Sequence, residues 1–204
     1  MSEKTDFDHW QERFAGDDYR FGTEPNAFLK AQAHLLRKGE RALAIADGEG
    51  RNGVYLASQG LDVLSVDFSP NAQVKARKLA AARGVTMRVE QADIVNWDWP
   101  ADAFDVVAAI FFQFAGPADR AKIFAGIKKA LKPGGLLLLE GYGPKQLDYK
   151  TGGPSRLENL YTRDLLENAF ADFASLDIRE YDAEIHEGPG HAGLSALIDL
   201  VGRK

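Results

Sequence analysis

Short apolar segments alternate with amphipathic ones along the first two thirds of the chain, and this alternation determines the predicted elements. Buried strands are predicted at five apolar runs, namely 41–46, 61–66, 85–89, 104–112 and 136–140. Apolar stripes, with proline in a first turn or glycine after the last turn, predict helices at 25–38, 54–58, 70–83 and 119–131. Strands joined by helical crossovers lie parallel, so this order indicates a parallel sheet with helices on both faces.

The pattern changes after Tyr142. Residues 143–159 contain three Gly and two Pro and are expected to form a long loop, and a helix is predicted at 162–170. Two strand-like segments follow, at 175–186 and 194–201. The turn between them, Gly188-Pro189-Gly190, leaves no room for a helix, so these two strands are expected to pair antiparallel.

The composition is that of an ordinary globular protein, with 204 residues, 45% hydrophobic and 27% charged residues. A net charge of -5 gives no large attraction to nucleic acid or anionic lipid. The absence of cysteine excludes disulfides, thiolate zinc sites and a cysteine nucleophile. Residues 1–8 are polar and acidic, unlike a signal peptide. We therefore expect a cytoplasmic protein, a monomer or homodimer, with no nucleic-acid or membrane partner.

A glycine-rich turn follows the first predicted strand. Residues 48–53 match the pattern G-x-G-x-x-G, and Asp67 ends the next predicted strand. Glycines allow a ligand to approach the backbone closely, and an acid at the second strand end can accept hydrogen bonds from ribose hydroxyls. The alternative is a tight strand-to-helix turn beside an ordinary surface acid. The combination of strand, turn, helix, strand and acid favours a nucleotide-type cofactor.

The charge of this turn bears on which cofactor it accepts. Asp47 and Glu49 place two carboxylates where a dinucleotide would put its diphosphate, and like charges at that distance repel. S-adenosylmethionine carries no phosphate but has a sulfonium and an ammonium group, so an acidic turn favours it. The chain also lacks the Tyr-x-x-x-Lys pair expected of a small nicotinamide-dependent reductase.

The sequence resembles the class I, Rossmann-type S-adenosylmethionine-dependent methyltransferases. The shared features lie within residues 41–140, and they are the glycine-rich turn, Val66-Asp67, Gln91-Ala92-Asp93, residues 104–107 and Leu131-Lys132-Pro133-Gly134-Gly135. A narrower resemblance is to the bacterial tellurite-resistance and thiopurine S-methyltransferase-like branch. It rests on Trp10 with Arg13-Phe14, residues 21–26, residues 48–52 and Gly152-Gly153-Pro154.

This resemblance implies a doubly wound seven-stranded α/β sheet of order 3-2-1-4-5-7-6, with strand 7 antiparallel. It implies one methyltransferase domain, 1–204, comprising an N-terminal helical lid (1–24), a cofactor-binding core (41–142) and a substrate side (143–204). The family has an acid and a glycine where this chain has Ala44 and Ala46. We therefore hypothesise that Asp47 takes over the cofactor's ammonium group.

The resemblance also implies the cofactor contacts. Gly48 and Gly50 would lie beside the methionine part, Asp67 would bind the ribose, and Phe68 would lie against adenine. The remaining expected contacts are Asp93 and Ile94 at the adenine amino edge, Phe111 and Phe112 near the sulfur, and Glu49, Asn52 and Ser69 in the same turns.

The substrate side is expected at the carboxyl ends of strands four and five. The expected substrate-binding residues are Trp10, Tyr19, Gln113, Tyr142 and Arg156. Trp10, Phe14, Tyr19 and Phe21 are interpreted either as a lid or as a staple that fixes the N-terminus to the sheet. His186 and His191 flank the last turn, which we interpret as solvated and not as a metal site. No catalytic residue is assigned.

The sequence thus predicts an S-adenosylmethionine-dependent methyltransferase acting on a small-molecule acceptor, such as a thiol or chalcogen compound. The first alternative is a small NAD(P)-dependent oxidoreductase. The second is a non-catalytic protein that binds S-adenosylmethionine, which the substitutions at Ala44 and Ala46 keep open.

Overall fold

A computed structural model describes residues 6–204 of the protein. Its seven strands are β1 (Arg41–Ile45), β2 (Asp62–Asp67), β3 (Arg88–Gln91), β4 (Phe104–Ile110), β5 (Leu131–Tyr142), β6 (Ser175–His186) and β7 (Ala192–Arg203). They form one sheet of order β3-β2-β1-β4-β5-β7-β6, in which β7 runs antiparallel to both neighbours. The predicted strand order and direction are confirmed.

Seven α-helices accompany the sheet in the described residues. They are α1 (Asp6–Arg13), α2 (Ala27–Ala31), α3 (Arg51–Ser58), α4 (Pro70–Ala82), α5 (Pro117–Ala130), α6 (Gln146–Tyr149) and α7 (Arg163–Ala169). Two 3₁₀ turns lie at Ala33–Leu35 and Leu157–Asn159. Between residues 6 and 204, no helix has the length and apolar character that crossing a membrane requires.

The central strands are apolar on both faces because both faces are covered. Successive residues of β4 alternate between two cores, with Val107 in one and Val106 in the other. The core around Val107 also includes side chains of α5 and α7, and the core around Val106 includes side chains of α2 and α3. This arrangement explains why 104–110 is a nearly continuous apolar run, as a strand buried on both faces requires.

Several predicted boundaries differ from those in the structure, and three of the differences have a local cause. The helix expected at 25–38 ends as an α-helix at Ala31, because the Gln32 N–H donates to both the Phe28 and Leu29 carbonyls and the chain tightens into a 3₁₀ turn. The third strand begins later than expected because Val85 N–H donates to the Ala80 carbonyl and closes the end of α4. The fifth strand begins earlier, at Leu131, through a register shift against β4.

Candidate active site

A cavity of about 550 Å³ lies at the carboxyl ends of the parallel strands. It is lined by the turns that follow β1, β2, β3 and β4 and is covered by the N-terminal segment and the β6–β7 turn. Its volume is within the roughly 300–1,000 Å³ typical of small-molecule sites. The expected cofactor residues that line it are Asp47, Gly48, Glu49, Asn52, Asp67, Phe68, Asp93, Ile94, Phe111 and Phe112. The expected substrate residues that line it are Trp10 and Arg156.

Asp67, at the end of β2, is held in place by backbone donors. Its carboxylate accepts hydrogen bonds from the N–H of Gly48 at 2.9 Å and of Ser69 at 2.8 Å. Burial raises the pKa of Asp67 to about 6, against the lowering effect of those donors. The result is a buried acceptor of fixed orientation that lines the cavity and is mostly ionised at neutral pH.

The cavity next to Asp67 has flat apolar walls. The rings of Phe68 and Phe114 lie 6.4 Å apart between centroids and only 5° from parallel. Ile94 is buried, and the Asp93 carboxylate accepts from the Val95 N–H at 3.0 Å and the Asn96 side chain at 2.7 Å. These groups are suited to a planar heterocycle with a polar edge.

Asp47 lines the cavity, but its carboxylate is used within the glycine-rich turn. It accepts from the Gly53 N–H at 3.2 Å and from the Ser65 hydroxyl at 2.7 Å. Burial raises the pKa of Asp47 to about 7, which these two donors partly oppose. The assignment of Asp47 to the cofactor's ammonium group stays a prediction.

Glu49 is neutralised by a buried lysine. Lys75 Nζ lies 2.8 Å from Glu49 Oε1, and both side chains are almost fully buried. The Phe21 N–H also donates to Glu49. Lys75 therefore compensates one of the two charges on which the sequence argument against a diphosphate rests, and the raised pKa of Asp47 weakens the other.

Two expected cofactor residues do not line the cavity. Gly50, with φ of +87°, lies against α4, where a Cβ would be 2.6 Å from Ala76 Cβ. Ser69 caps α4 by accepting from the Ala72 N–H, and its hydroxyl donates to Gln11. Both residues pack or cap α4, and their contact with the cofactor stays a prediction.

Three expected substrate residues also lie outside the cavity. The Tyr19 hydroxyl donates to the Lys75 carbonyl, which fixes the N-terminal segment to α4. The Gln113 side chain is buried, donating to the Tyr142 and Asn159 carbonyls and accepting from the Tyr142 N–H, so it joins β5 to the following loop. The Tyr142 ring is 2% exposed and packs behind Phe111.

The N-terminal segment forms the roof of the cavity. Trp10 stacks on Phe14 with ring centroids 5.5 Å apart, and Phe21 lies 6.2 Å from Phe14. All three rings line the cavity, and Phe14 is only 3% exposed. The same rings therefore both cover the site and anchor the segment, and opening of this roof as a lid stays a prediction.

The β6–β7 turn completes the roof, which contradicts its interpretation as a solvated turn. His191 lines the cavity, and its ring centroid lies 4.5 Å from those of Phe21 and Phe111. The Gly190 N–H donates to the Arg20 carbonyl, and a Cβ on Gly188 would lie 2.4 Å from the backbone nitrogen of Gly22. The glycines that suggested a loose turn allow its backbone to pack against the N-terminal segment.

A buried ion pair connects this turn to the glycine-rich turn. Arg51 Nη2 lies 2.6 Å from Glu187 Oε2, and the two side chains are 7% and 9% exposed. Glu187 also accepts from the Ala27 N–H and the Asn26 side chain. Burial raises the pKa of Glu187, but the neighbouring His191 and Arg51 outweigh this effect. The resulting pKa of Glu187 is about 2.

Two strand ends at the cavity have strained backbone. Ala46, after β1, has φ of +45°, and Phe111, after β4, has φ of +52°. A left-handed conformation costs a residue with a side chain about 1–2 kcal/mol. Position 46 is therefore one where glycine would be favoured, and strain of this kind is concentrated at functional sites.

Comparison with known proteins finds solved structures with the fold of this chain and a family model that matches part of its sequence. The chain has the fold of class I S-adenosylmethionine-dependent methyltransferases, shared with a SAM-dependent methyltransferase from Methanosarcina mazei (TM-score 0.68, 19% identity, 88% of this chain and 98% of that one). TehB from Haemophilus influenzae has the same fold (TM-score 0.71, 18% identity, 97% of this chain and 66% of that one). Residues 42–135 match the family model described as a methyltransferase domain.

One curated relative is the demethylmenaquinone methyltransferase of Thermus thermophilus. It is 35% identical over 112 residues, which make up 54% of this chain and 50% of the relative. The chain spans about half the length of the first curated relatives that it matches.

Proposed function

We propose that the protein is an S-adenosylmethionine-dependent methyltransferase acting on a small acceptor molecule. The observation that carries this proposal is the buried Asp67 carboxylate, which Gly48 and Ser69 orient at the cavity beside the wall formed by Phe68. A carboxylate with free acceptor capacity suits the two hydroxyls of a ribose, and a flat apolar wall suits adenine. The residues present therefore fit the adenosyl part of this cofactor.

The bound cofactor would supply a methyl group activated by its positive sulfur. An acceptor atom would take this methyl carbon as the carbon–sulfur bond breaks, and the electron pair of that bond would stay on sulfur. The chain must align the acceptor and exclude water. Phe111 and the rings of Phe14 and Phe21 enclose the cavity next to the end of β4 and are suited to both tasks.

We further propose a thiol or related chalcogen compound as the acceptor. The supports are the resemblance to the tellurite-resistance and thiopurine S-methyltransferase-like branch and the aromatic lining around Phe21 and Phe111. A soft, polarisable nucleophile is compatible with apolar walls and requires little catalytic help once it is ionised.

His191 is the group that can remove a proton from such an acceptor. It lines the cavity, and burial is the main cause that lowers its pKa, which favours the neutral imidazole. A neutral imidazole accepts a proton, and general-base catalysis typically contributes about 10²–10⁴-fold.

The prediction is that His191→Gln slows methyl transfer to 2-mercaptoethanol about a hundredfold, because an alkyl thiol is mostly protonated at pH 7. Transfer to thiophenol, which is more acidic and largely ionised, should fall less than about fivefold. Release of S-adenosylhomocysteine measures both rates, and His34→Gln, at a histidine outside the cavity lining, serves as the control. Equal losses with both thiols would contradict a base role, and no turnover of any thiol by the unmodified enzyme would contradict the acceptor class.

A further inference from the structure

Arg51 is a buried cation whose hydrogen-bonding capacity is only partly used. It is the first residue of α3, its side chain is 7% exposed, and it lines the cavity. Nη2 is paired with Glu187, whereas Nη1 is buried and has no hydrogen-bond partner. A guanidinium group presents five N–H donors, and a buried donor without an acceptor costs free energy. A ligand that brought an acceptor atom to Nη1 would remove this cost.

Other nitrogen atoms around this position are also without partners. His191 Nδ1 has no hydrogen-bond partner and lies 4.0 Å from the nearest Glu187 oxygen, beyond hydrogen-bond distance. Arg13 Nε and Arg20 Nε, in the N-terminal part of the roof, are buried without partners as well. The three buried guanidinium nitrogens without acceptors, one of them on the cavity-lining Arg51, indicate a group that supplies oxygen lone pairs.

The charges nearest Arg51 are compatible with an anion as that group. Glu187 is a permanent carboxylate, but Arg51 already compensates it. Glu140, the next acidic side chain in this region, has its pKa raised well above the usual value by burial and by its neighbour Asp199. Burial, together with the nearby charge of Arg20, lowers the pKa of Arg13, so two further cations lie close together.

The position within the cavity indicates which ligand carries the anion. The ribose and adenine features, Asp67 and Phe68, follow β2. Arg51 is connected through Glu187 to the turn of His191, whose ring contacts Phe111 after β4. The unpartnered donors are thus associated with the end of the cavity where the acceptor must lie.

We propose that Arg51 forms an anion-binding subsite that selects a negatively charged acceptor, one with a carboxylate on an aromatic or apolar frame. The carboxylate binds Nη1 of Arg51, the frame packs against Phe21 and Phe111, and the nucleophilic atom lies beside His191. This inference rests on the proposed function and specifies the class of acceptor. The other source of the same chemistry is the carboxylate of the cofactor itself, and the experiment separates the two.

The test is calorimetric titration of benzoate, and of its uncharged isostere benzamide, into the full-length protein saturated with S-adenosylhomocysteine. We expect the unmodified protein to bind benzoate at least tenfold more tightly than benzamide. Arg51→Gln should weaken the binding of benzoate at least tenfold and change the affinity for S-adenosylhomocysteine less than twofold. Arg163→Gln, at an arginine of α7 that does not line the cavity, should change neither affinity.

Arg51→Gln leaves Glu187 buried without its partner, so a second variant guards against misfolding. Arg51→Gln/Glu187→Gln replaces the ion pair with two neutral amides and should fold, bind S-adenosylhomocysteine and still fail to bind benzoate. Equal binding of benzoate and benzamide, unchanged benzoate binding in the variants, or a loss of S-adenosylhomocysteine affinity in place of benzoate affinity would each overturn the proposal. Failure of the unmodified protein to bind S-adenosylhomocysteine would instead refute the proposed function.

Discussion

Replacing Asp67 by Asn is expected to weaken S-adenosylhomocysteine binding about a hundredfold. The carboxylate has two backbone donors and lines the cavity, so it can accept further hydrogen bonds from a ribose. A hydrogen bond to a charged group contributes about 1.5–3 kcal/mol, and about 2.8 kcal/mol corresponds to a hundredfold in affinity. Isothermal titration calorimetry measures the loss directly.

The matched control for this prediction is on the same strand. Asp62 is the first residue of β2 and is exposed, so Asp62→Asn removes the same charge at the opposite end of the strand. We expect this control to bind S-adenosylhomocysteine within twofold of the unmodified protein. If Asp67→Asn kept its melting temperature and full affinity, the assignment of Asp67 to the ribose would be incorrect.

Gly50→Ala is expected to destabilise the protein by about 3 kcal/mol. The left-handed φ of +87° costs alanine about 1–2 kcal/mol. The added methyl group would also lie 2.6 Å from Ala76 Cβ on α4, and overpacking of this kind costs about 1–3 kcal/mol. For a domain of this size, the melting temperature should fall by about 6–12 °C in a thermal unfolding scan.

A second glycine separates the two causes of that loss. Gly84 has φ of +65°, and nothing lies within 4 Å of the position its Cβ would take. Gly84→Ala therefore carries the backbone strain without the steric clash, and we expect about half the destabilisation. Equal losses in both variants would show that close packing of α3 against α4 contributes nothing at Gly50.

The features that the sequence predicts well are those encoded within one strand or one turn. Apolar runs such as 104–110 identify buried strands, and the turn between β6 and β7 correctly predicts their antiparallel pairing. The position of Asp67 and Phe68 at the cavity is predictable for the same reason, since a residue at the carboxyl end of a parallel strand lies at the edge where ligands bind.

Side chains near strand ends are harder to assign, because neighbours point in different directions. Gln113 and Tyr142 follow or end strands at the correct edge, yet both turn away from the cavity and hydrogen-bond to each other. Phe111, two residues before Gln113, lines the cavity. The sequence places these residues at the edge but does not determine the backbone conformation that separates them, such as the left-handed φ at Phe111.

Contacts between distant segments could not be predicted from local patterns at all. The Arg51–Glu187 pair joins residues 136 positions apart, and His191 meets Phe21 only because the β6–β7 turn packs on the N-terminal segment. The Glu49–Lys75 pair likewise compensates one of the two charges on which the sequence argument for the cofactor rests. The only local signal was the pair of glycines at 188 and 190, which permits close backbone packing as well as flexibility.

The central claim, that this cavity binds an adenosyl sulfur compound, is tested most directly by comparing two ligands in calorimetry. Purified full-length protein is titrated with S-adenosylhomocysteine and, separately, with NADH under identical conditions. We expect S-adenosylhomocysteine to bind at one molecule per chain and more tightly than NADH. Saturable binding of NADH together with no binding of S-adenosylhomocysteine would contradict the account.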